Sequence, residues 1–252
     1  MTFYELYKML DDRFPKSLSC EWDNDGIMCA SDLEKPVKKV LISLDVTDEA
    51  VKYAIKKGFD TIISHHPLIF KPQKSLCECN SIQKKLISLI KNDVRVMSFH
   101  TRLDAGQGGV NDTLASEIGF VNVNPDPNDS IGRVCELEMP LDIRAFAKKV
   151  KKILGAPYVK TVGERPVQKV YLVGGDGKDS ILNAIESGAD TILTGDTSYN
   201  SMIDADEMGI NVIEAGHFYT ENPVCKSIEN FVKIIDEKIK TEIFDCNKIE
   251  II

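Results

Sequence analysis

Short aliphatic and β-branched runs alternate with amphipathic stretches along most of the chain. Val37 to Val46 is a run of the first kind, the pattern of a buried strand. Asp48 to Lys57 sets Ala50, Val51, Ala54 and Ile55 on one helical face, and Gly58 stands where a helix would end. Asp60 to Ser64 reads as a short buried strand, Ser81 to Lys91 as a helix, and Val94 to Phe99 as another strand. The order βαβαβ predicts a mainly parallel sheet with helices on its faces.

The same pattern returns later. Residues 39–64, displaced by 130, align without a gap to 169–194. Lys39, Val40, Ala54, Ile55, Gly58, Asp60, Thr61 and Ile62 match Lys169, Val170, Ala184, Ile185, Gly188, Asp190, Thr191 and Ile192. Shared βαβ architecture produces some of this likeness without common ancestry. Either origin implies two similar α/β lobes. Asn211 to Ala215 is the expected third strand of the second. Before the first strand, residues 1–30 read as a helix and a loop, Glu21-Trp22-Asp23-Asn24-Asp25-Gly26, which holds the only tryptophan. Asn122 to Asp129 is turn-rich; a strand (Arg133 to Glu138), a helix (Asp142 to Leu154) and a strand near Tyr158 are expected after it. The expected divisions are an N-terminal α/β lobe over 1–120, a connecting segment over 121–168 and a C-terminal α/β lobe over 169–252.

Composition narrows the setting. The 252 residues are 43% hydrophobic, enough for a packed core. A net charge of -8 disfavours indiscriminate binding to nucleic acid or anionic membrane. The lysines at 148, 149, 151 and 152 read as a solvated helix face. Seven cysteines, an odd count without a CxxC pair, fit a reduced cytoplasmic setting. Cys77-Glu78-Cys79 is the one close pair, and its spacing is short for a zinc site. The N-terminus lacks a basic start and an apolar signal core, and no stretch is apolar for long enough to span a bilayer.

The four histidines carry the candidate chemistry. His65 and His66 are adjacent before Pro67; His100 opens His100-Thr101-Arg102-Leu103-Asp104; His217 opens His217-Phe218-Tyr219-Thr220-Glu221. All follow expected strands, and ligands in open α/β sheets bind beyond the strands' carboxyl ends. A strand-end histidine alone is more often structural, but three coincident motifs with carboxylates point to a metal site. Neighbours on an extended chain face opposite sides, so His65 and His66 suggest two ions. Thr220 is placed to cap a helix with Glu221 in its first turn, where a carboxylate able to bridge two ions is electrostatically favoured. Asn111 is the expected cap of the helix after the glycine-rich loop that follows Asp104. Asp45, at another strand end, reads equally as a helix cap or as a group orienting a ligand histidine. Gly174-Gly175-Asp176-Gly177 is a candidate phosphate cradle. It lacks the P-loop ending, and a plain βα turn is the simpler reading.

These motifs together resemble a known family. Ser64-His65-His66-Pro67-Leu68-Ile69-Phe70, His100-Thr101-Arg102-Leu103-Asp104-Ala105 with Gly108-Gly109-Val110-Asn111-Asp112, and Gly216-His217-Phe218-Tyr219-Thr220-Glu221 are similar to signatures of the Nif-three-like family. Its members are often described as type 2 GTP cyclohydrolase I homologues. Glu21 to Gly26 and Leu44-Asp45-Val46-Thr47 resemble family segments too, so the likeness runs over nearly the whole chain, in the compact form without a full inserted domain. It implies an α/β fold of two similar lobes with mainly parallel sheets and a dinuclear metal site in the cleft between them. By motif position, His65, His66, Asp104, His217 and Glu221 would be the ligands, with Glu221 touching both ions, and His100 would be an outer-sphere group or proton donor. The resemblance implies two divalent ions (iron, zinc or manganese), a nucleotide or related small-molecule substrate and a toroidal homohexamer. The chain departs from the family at Thr194-Gly195-Asp196, where Thr-Gly-Glu is common, and at Tyr199-Asn200, where a histidine pair sometimes stands.

The expected function is metal-assisted hydrolysis, with His100 moving a proton near neutral pH. A metal-binding ring that serves as a scaffold or regulator without catalysis is the alternative. A nucleic-acid-binding ring ranks lowest, given the acidic total.

Overall fold

The computed structural model describes residues 1–252. In chain order the elements are α1 (Phe3–Arg13), β1 (Gly26–Cys29), β2 (Lys39–Ser43), α2 (Asp48–Lys57), β3 (Thr61–Ser64), α3 (Ser81–Lys91), β4 (Arg95–Ser98) and α4 (Thr101–Ala105). Then come α5 (Val110–Ile118), β5 (Asn122–Pro125), β6 (Arg133–Leu141), α6 (Ile143–Leu154), β7 (Lys160–Val162), β8 (Val167–Asp176) and α7 (Ile181–Glu186). The last are β9 (Thr191–Asp196), α8 (Tyr199–Glu207), β10 (Asn211–Glu214), α9 (His217–Glu221), α10 (Val224–Ile235) and β11 (Lys240–Ile243). This is a mixed α/β fold with two sheets, ordered β1-β4-β3-β2-β11 and β5-β6-β8-β9-β10-β7. Two compact units share the chain. Unit 1 holds Met1–Leu103 and Cys225–Ile249, and unit 2 holds Asp104–Val224 and Glu250–Ile252.

In unit 1, β11, β2, β3 and β4 run parallel, and β1 closes the β4 edge antiparallel. The mainly parallel sheet expected here is present. Thr47 caps α2 by accepting from Ala50 N, and Gly58 ends it in the left-handed conformation at φ 68°. Leu41, Ile62 and Val96 pack on one face of the sheet with Val51, Ala54 and Leu89. Their neighbours Val40, Ile42, Ile63 and Met97 are also fully buried, as strands covered on both faces require.

Unit 2 corrects the expectation of a mainly parallel sheet. The pairs β8–β9 and β9–β10 are parallel, but β5–β6, β6–β8 and β10–β7 are antiparallel. The turn-rich stretch from Asn122 begins with the strand β5. Only residues 126–132 separate β5 from β6, too few for the crossover that a parallel pair needs. Alternation sorts the core onto two faces. Val170, Leu172, Leu193 and Ile213 lie with α5 and α6 residues, whereas Tyr171, Val173, Ile192 and Val212 lie with α7 and α8 residues.

The internal repeat survives in detail. Val40 faces Thr61 and Val170 faces Thr191, a matching displacement of 130. Asp60 Oδ2 accepts from the amides of Lys38 and Lys39, and Asp190 Oδ2 from those of Gln168 and Lys169. Thr61 and Thr191 each donate to the preceding aspartate. Arg95 N and Asn211 N, at the heads of the two third strands, donate to the Asp60 and Asp190 carbonyls.

Cys77 and Cys79 form a disulfide, which departs from the expectation of free thiols throughout. Their Cα atoms are 5.4 Å apart, within disulfide reach. The other five cysteines form no disulfide. No helix is long and apolar enough to cross a membrane.

One ion network in unit 1 gives a pH-dependent expectation. Glu229 accepts from Lys226, Lys233 and Thr241. The lysine hydrogen bonds lead in holding its carboxyl down to about 2. A depressed carboxyl contributes stability above its unfolded pKa and loses it as pH falls through the folded value. Glu229→Gln is therefore expected to cost on the order of 1–2 kcal/mol at pH 7. Denaturation measured against pH should show that difference closing between about 4.5 and about 2.

Candidate metal centre

In unit 1, the ends of β3 and β4 bring three histidines together. Phe99 N donates to Ser64 O at 2.9 Å, which carries the ladder just past both strands. The ring centroids of His65 and His66 are 4.9 Å apart, and His100 lies 5.2 and 5.7 Å from them. One ring nitrogen from each lies within 4.8 Å of the others. The expectation that His65 and His66 face opposite ways is corrected. Alternation belongs to extended strand, and β3 ends at Ser64.

Each ring is oriented through Nδ1. His65 Nδ1 donates to Phe99 O at 3.0 Å. His66 Nδ1 donates to Asp45 Oδ1 at 2.8 Å, and His100 Nδ1 to Asp23 Oδ1 at 2.8 Å. Carbonyl and carboxylate oxygens only accept, so each ring donates from Nδ1 and is held by that bond. Of the two readings of Asp45, holding a histidine ring is the one its side chain performs, while Thr47 caps the helix. Cys246 supports Asp45 by donating to Oδ2 at 3.7 Å. Burial pushes this thiol up to about 11, so it remains protonated at neutral pH. Burial likewise pushes the Asp23 carboxyl up, but hydrogen bonds from His100 and Thr101 overcome it and hold the group below its ordinary value.

In unit 2, α9 presents His217 and Glu221 one turn apart, with Nε2 and Oε2 at 3.0 Å. His217 Nδ1 donates to Asp196 Oδ2 at 2.9 Å. Thr220 is not a helix cap, because α9 already begins at His217. Its hydroxyl instead bonds the helix carbonyls of Gly216 and His217 and accepts from Gly175 N at 3.2 Å. Asn111 is not a cap either; Gly109 holds that position. The buried Asn111 amide donates to Asp104 O at 3.3 Å and Ile131 O at 2.9 Å. Asp104 is itself buried.

The glycine run is a packing device, not a phosphate cradle. Gly174 N donates to Asn111 Oδ1, Gly175 N to Thr220 Oγ1 and Gly177 N to Asp196 O. The amides that would hold a phosphate are taken. A Cβ on Gly175 would stand 2.1 Å from Glu221 Oε1, and one on Gly195 would stand 2.5 Å from Thr220 Oγ1. Hydrogen in place of Cβ lets α9 lie against the ends of β8 and β9. Gly175→Ala is expected to displace the Glu221 carboxylate and weaken divalent-metal uptake by roughly tenfold or more in a metal titration. Gly209→Ala is the control. It shares a positive φ, at 89°, but meets nothing within 4 Å, so it should cost about 1 kcal/mol of stability without changing uptake.

The structure thus gathers His65, His66 and His100 in unit 1, and His217 with Glu221 in unit 2. Asp23 and Asp196, the partners of His100 and His217, were not marked by spacing. Asp196 had shown only as a departure from the family's Thr-Gly-Glu. Imidazoles whose Nδ1 atoms are tied to carboxylates or a carbonyl, with further carboxylates beside them, are a donor set that fits divalent metal.

The family model described as Duf34/NIF3 (NGG1p interacting factor 3) matches residues 1–249. A Clostridium perfringens protein named GTP cyclohydrolase 1 type 2 homolog is 36% identical over 241 residues, covering 92% of each chain. The crystal structure of a Staphylococcus aureus hypothetical protein is similar at a TM-score of 0.89 and 29% identity, covering 97% of this chain and 96% of that one. Reduced HcgD from Methanocaldococcus jannaschii is similar at 0.84 and 31%, covering 96% and 97%.

Proposed function

The chain belongs to the Duf34/NIF3 family, and from that premise we propose that it is a metal-dependent hydrolase of a nucleotide or related small molecule. In this reading His65, His66, Asp104, His217 and Glu221 hold two divalent ions. The observation that carries it is the common orientation of the histidines, each with Nδ1 spent on a protein oxygen. The names of the relatives that read GTP cyclohydrolase 1 type 2 homolog support a purine nucleotide as the first substrate to test.

Ions bound there would supply Lewis-acid polarisation of a substrate oxygen. The chain's own residues do the rest. Asp45 and Asp196 hold the His66 and His217 rings and set their tautomers. His100 has its Nδ1 proton directed at Asp23, which leaves Nε2 to accept a proton and return it.

The hydrolase reading requires that His65→Ala abolish metal-dependent turnover while circular dichroism shows the fold retained. Turnover unchanged in that variant would sink it. Wild-type protein fully loaded with metal but inert toward nucleotides would leave the metal-binding scaffold as the better reading. Asp45→Ala is expected to weaken metal binding by about 10–100-fold without removing any ligand; isothermal titration with manganese or zinc checks this.

A further inference from the structure

Beside the histidine cluster, unit 1 exposes two large aromatic side chains on backbone that is held fast. Trp22 is 63% exposed and Phe70 is 43% exposed. Their ring centroids lie 6.0 Å apart at 67°. His100 stands edge-on to both, 6.1 Å from Trp22 and 6.3 Å from Phe70. Three rings set steeply to one another form an open corner, and one wall of that corner belongs to the candidate metal centre.

Local slackness does not account for the exposure. The residue after Trp22 is Asp23, whose carboxylate accepts from His100 Nδ1, Thr101 N and Thr101 Oγ1. Asn24 Nδ2 donates to Ile69 O, which ties the Trp22 loop to the residue before Phe70. Asp25 is buried and accepts from Arg102 Nε, His100 N, Ser19 Oγ and Lys16 Nζ. Cys20 N donates to Thr101 Oγ1 at 2.9 Å. Every residue from Cys20 to Asp25 except Glu21 and Trp22 is bonded in this way, and the indole is left facing water. A side chain of this size held in the open on a pinned loop is a preorganised contact surface, since its ordering cost is met before any ligand arrives.

We propose that Trp22 and Phe70 form a stacking platform for the planar heteroaromatic ring of a small-molecule substrate, placing that ring against His100. The proposal rests on the hydrolase reading above and names the substrate class for that site. Aromatic faces bind any planar ring through stacking and pay little for its polar edges. The corner therefore selects for the ring, and the histidine centre acts on what is attached to it or on the ring itself. A protein partner filling the corner would cover His100 and close the centre, which favours a small ligand over a macromolecule.

Trp22 is the only tryptophan, so its fluorescence reports this corner alone. The full chain would be titrated, with and without manganese, with guanosine, GTP, ribose 5-phosphate and inorganic tripolyphosphate. Saturable quenching by guanosine and GTP, with none by ribose 5-phosphate or tripolyphosphate, is the expected result. By calorimetry, Phe70→Ala and Trp22→Ala should each weaken GTP binding on the order of tenfold, and Trp22→Phe should recover most of the loss. Where turnover is measurable, the two alanine variants should raise KM by a similar factor.

Equal quenching by the ring-free probes would overturn the platform. So would unchanged GTP affinity in Trp22→Ala, or a Trp22 in free protein shielded from acrylamide because another copy of the chain covers it. The two readings fail separately. Ring-dependent binding without turnover keeps the platform and removes the hydrolase, whereas turnover with unaltered KM in both alanine variants keeps the hydrolase and removes the platform.

Discussion

Protein purified without added metal is expected to carry about two divalent ions per subunit, and Glu221→Ala well under one. Glu221 is the candidate ligand whose loss should cost most. It is buried, it lies 3.0 Å from His217 Nε2, and Gly175 has no side chain so that it fits. Its negative charge would offset that of the cations, which imidazole donors, having no negative charge, cannot do. Glu221→Gln separates charge from shape, since it keeps the volume and removes the negative charge. Elemental analysis should find it nearly as depleted as the alanine variant. Metal below one equivalent in wild type and variant alike, even after anaerobic reconstitution with iron, manganese and zinc, would show that the cluster is not a metal centre.

The parts of the fold that the sequence announces are those where local pattern and global role coincide. The central strands β2, β3 and β4 are buried on both faces and read as short aliphatic and β-branched runs; α2 carries its start and stop signals at Thr47 and Gly58. The repeat was legible for a further reason. Asp60 and Asp190 each bind two backbone amides at the foot of a strand, so the matching letters mark matching hydrogen bonds. The strands expected at Arg133 to Glu138 and near Tyr158 are present as β6 and β7, whereas β5, read as a turn-rich stretch, is short, largely exposed and at a sheet edge. The β6–β8 and β10–β7 pairings join strands distant in sequence. β11 pairs with β2 across some 200 residues, and no periodicity in Lys240–Ile243 records that.

At the site, residue type was informative and geometry was not. Four histidines beside carboxylates pointed to metal chemistry without a structure. Which carboxylates hold rings and which remain for an ion depends on distances that spacing does not encode. Asp45 was equally readable as a cap, Asp23 showed only within a segment that resembles the family, and Asp196 only as a departure from it. The glycine run misled for a physical reason. A glycine is needed wherever backbone must come close to something, and Gly174 and Gly175 come close to Glu221 on α9 and not to a phosphate.

Arg102→Ala is expected to destabilise the protein by about 3–5 kcal/mol, because it removes a cation from the buried Asp25 and the half-buried Asp11. The guanidinium is fully buried and donates to Asp11, to Asp25 and to the Phe14 carbonyl. Asp25, also fully buried, keeps Lys16 and Ser19 as partners, and Asp11 keeps Lys8, so part of the charge remains compensated. Thermal denaturation should still show a fall of about 10 °C or more. If desolvated charge is the cause, Arg102→Ala combined with Asp25→Asn should lose less than the two single changes together. Additive losses would attribute the effect to packing, where the guanidinium lies 4.6 Å from the Phe99 ring centroid. The damage should also reach the candidate metal centre. Asp25 Oδ2 accepts from His100 N at 3.2 Å, so loosening Asp25 frees the backbone that carries His100 and the loop that carries Trp22. Tryptophan emission in Arg102→Ala should therefore shift below the denaturation midpoint, and metal uptake should weaken although no candidate ligand has been touched. A variant with the full loss of stability but wild-type emission and uptake would confine Arg102 to the core.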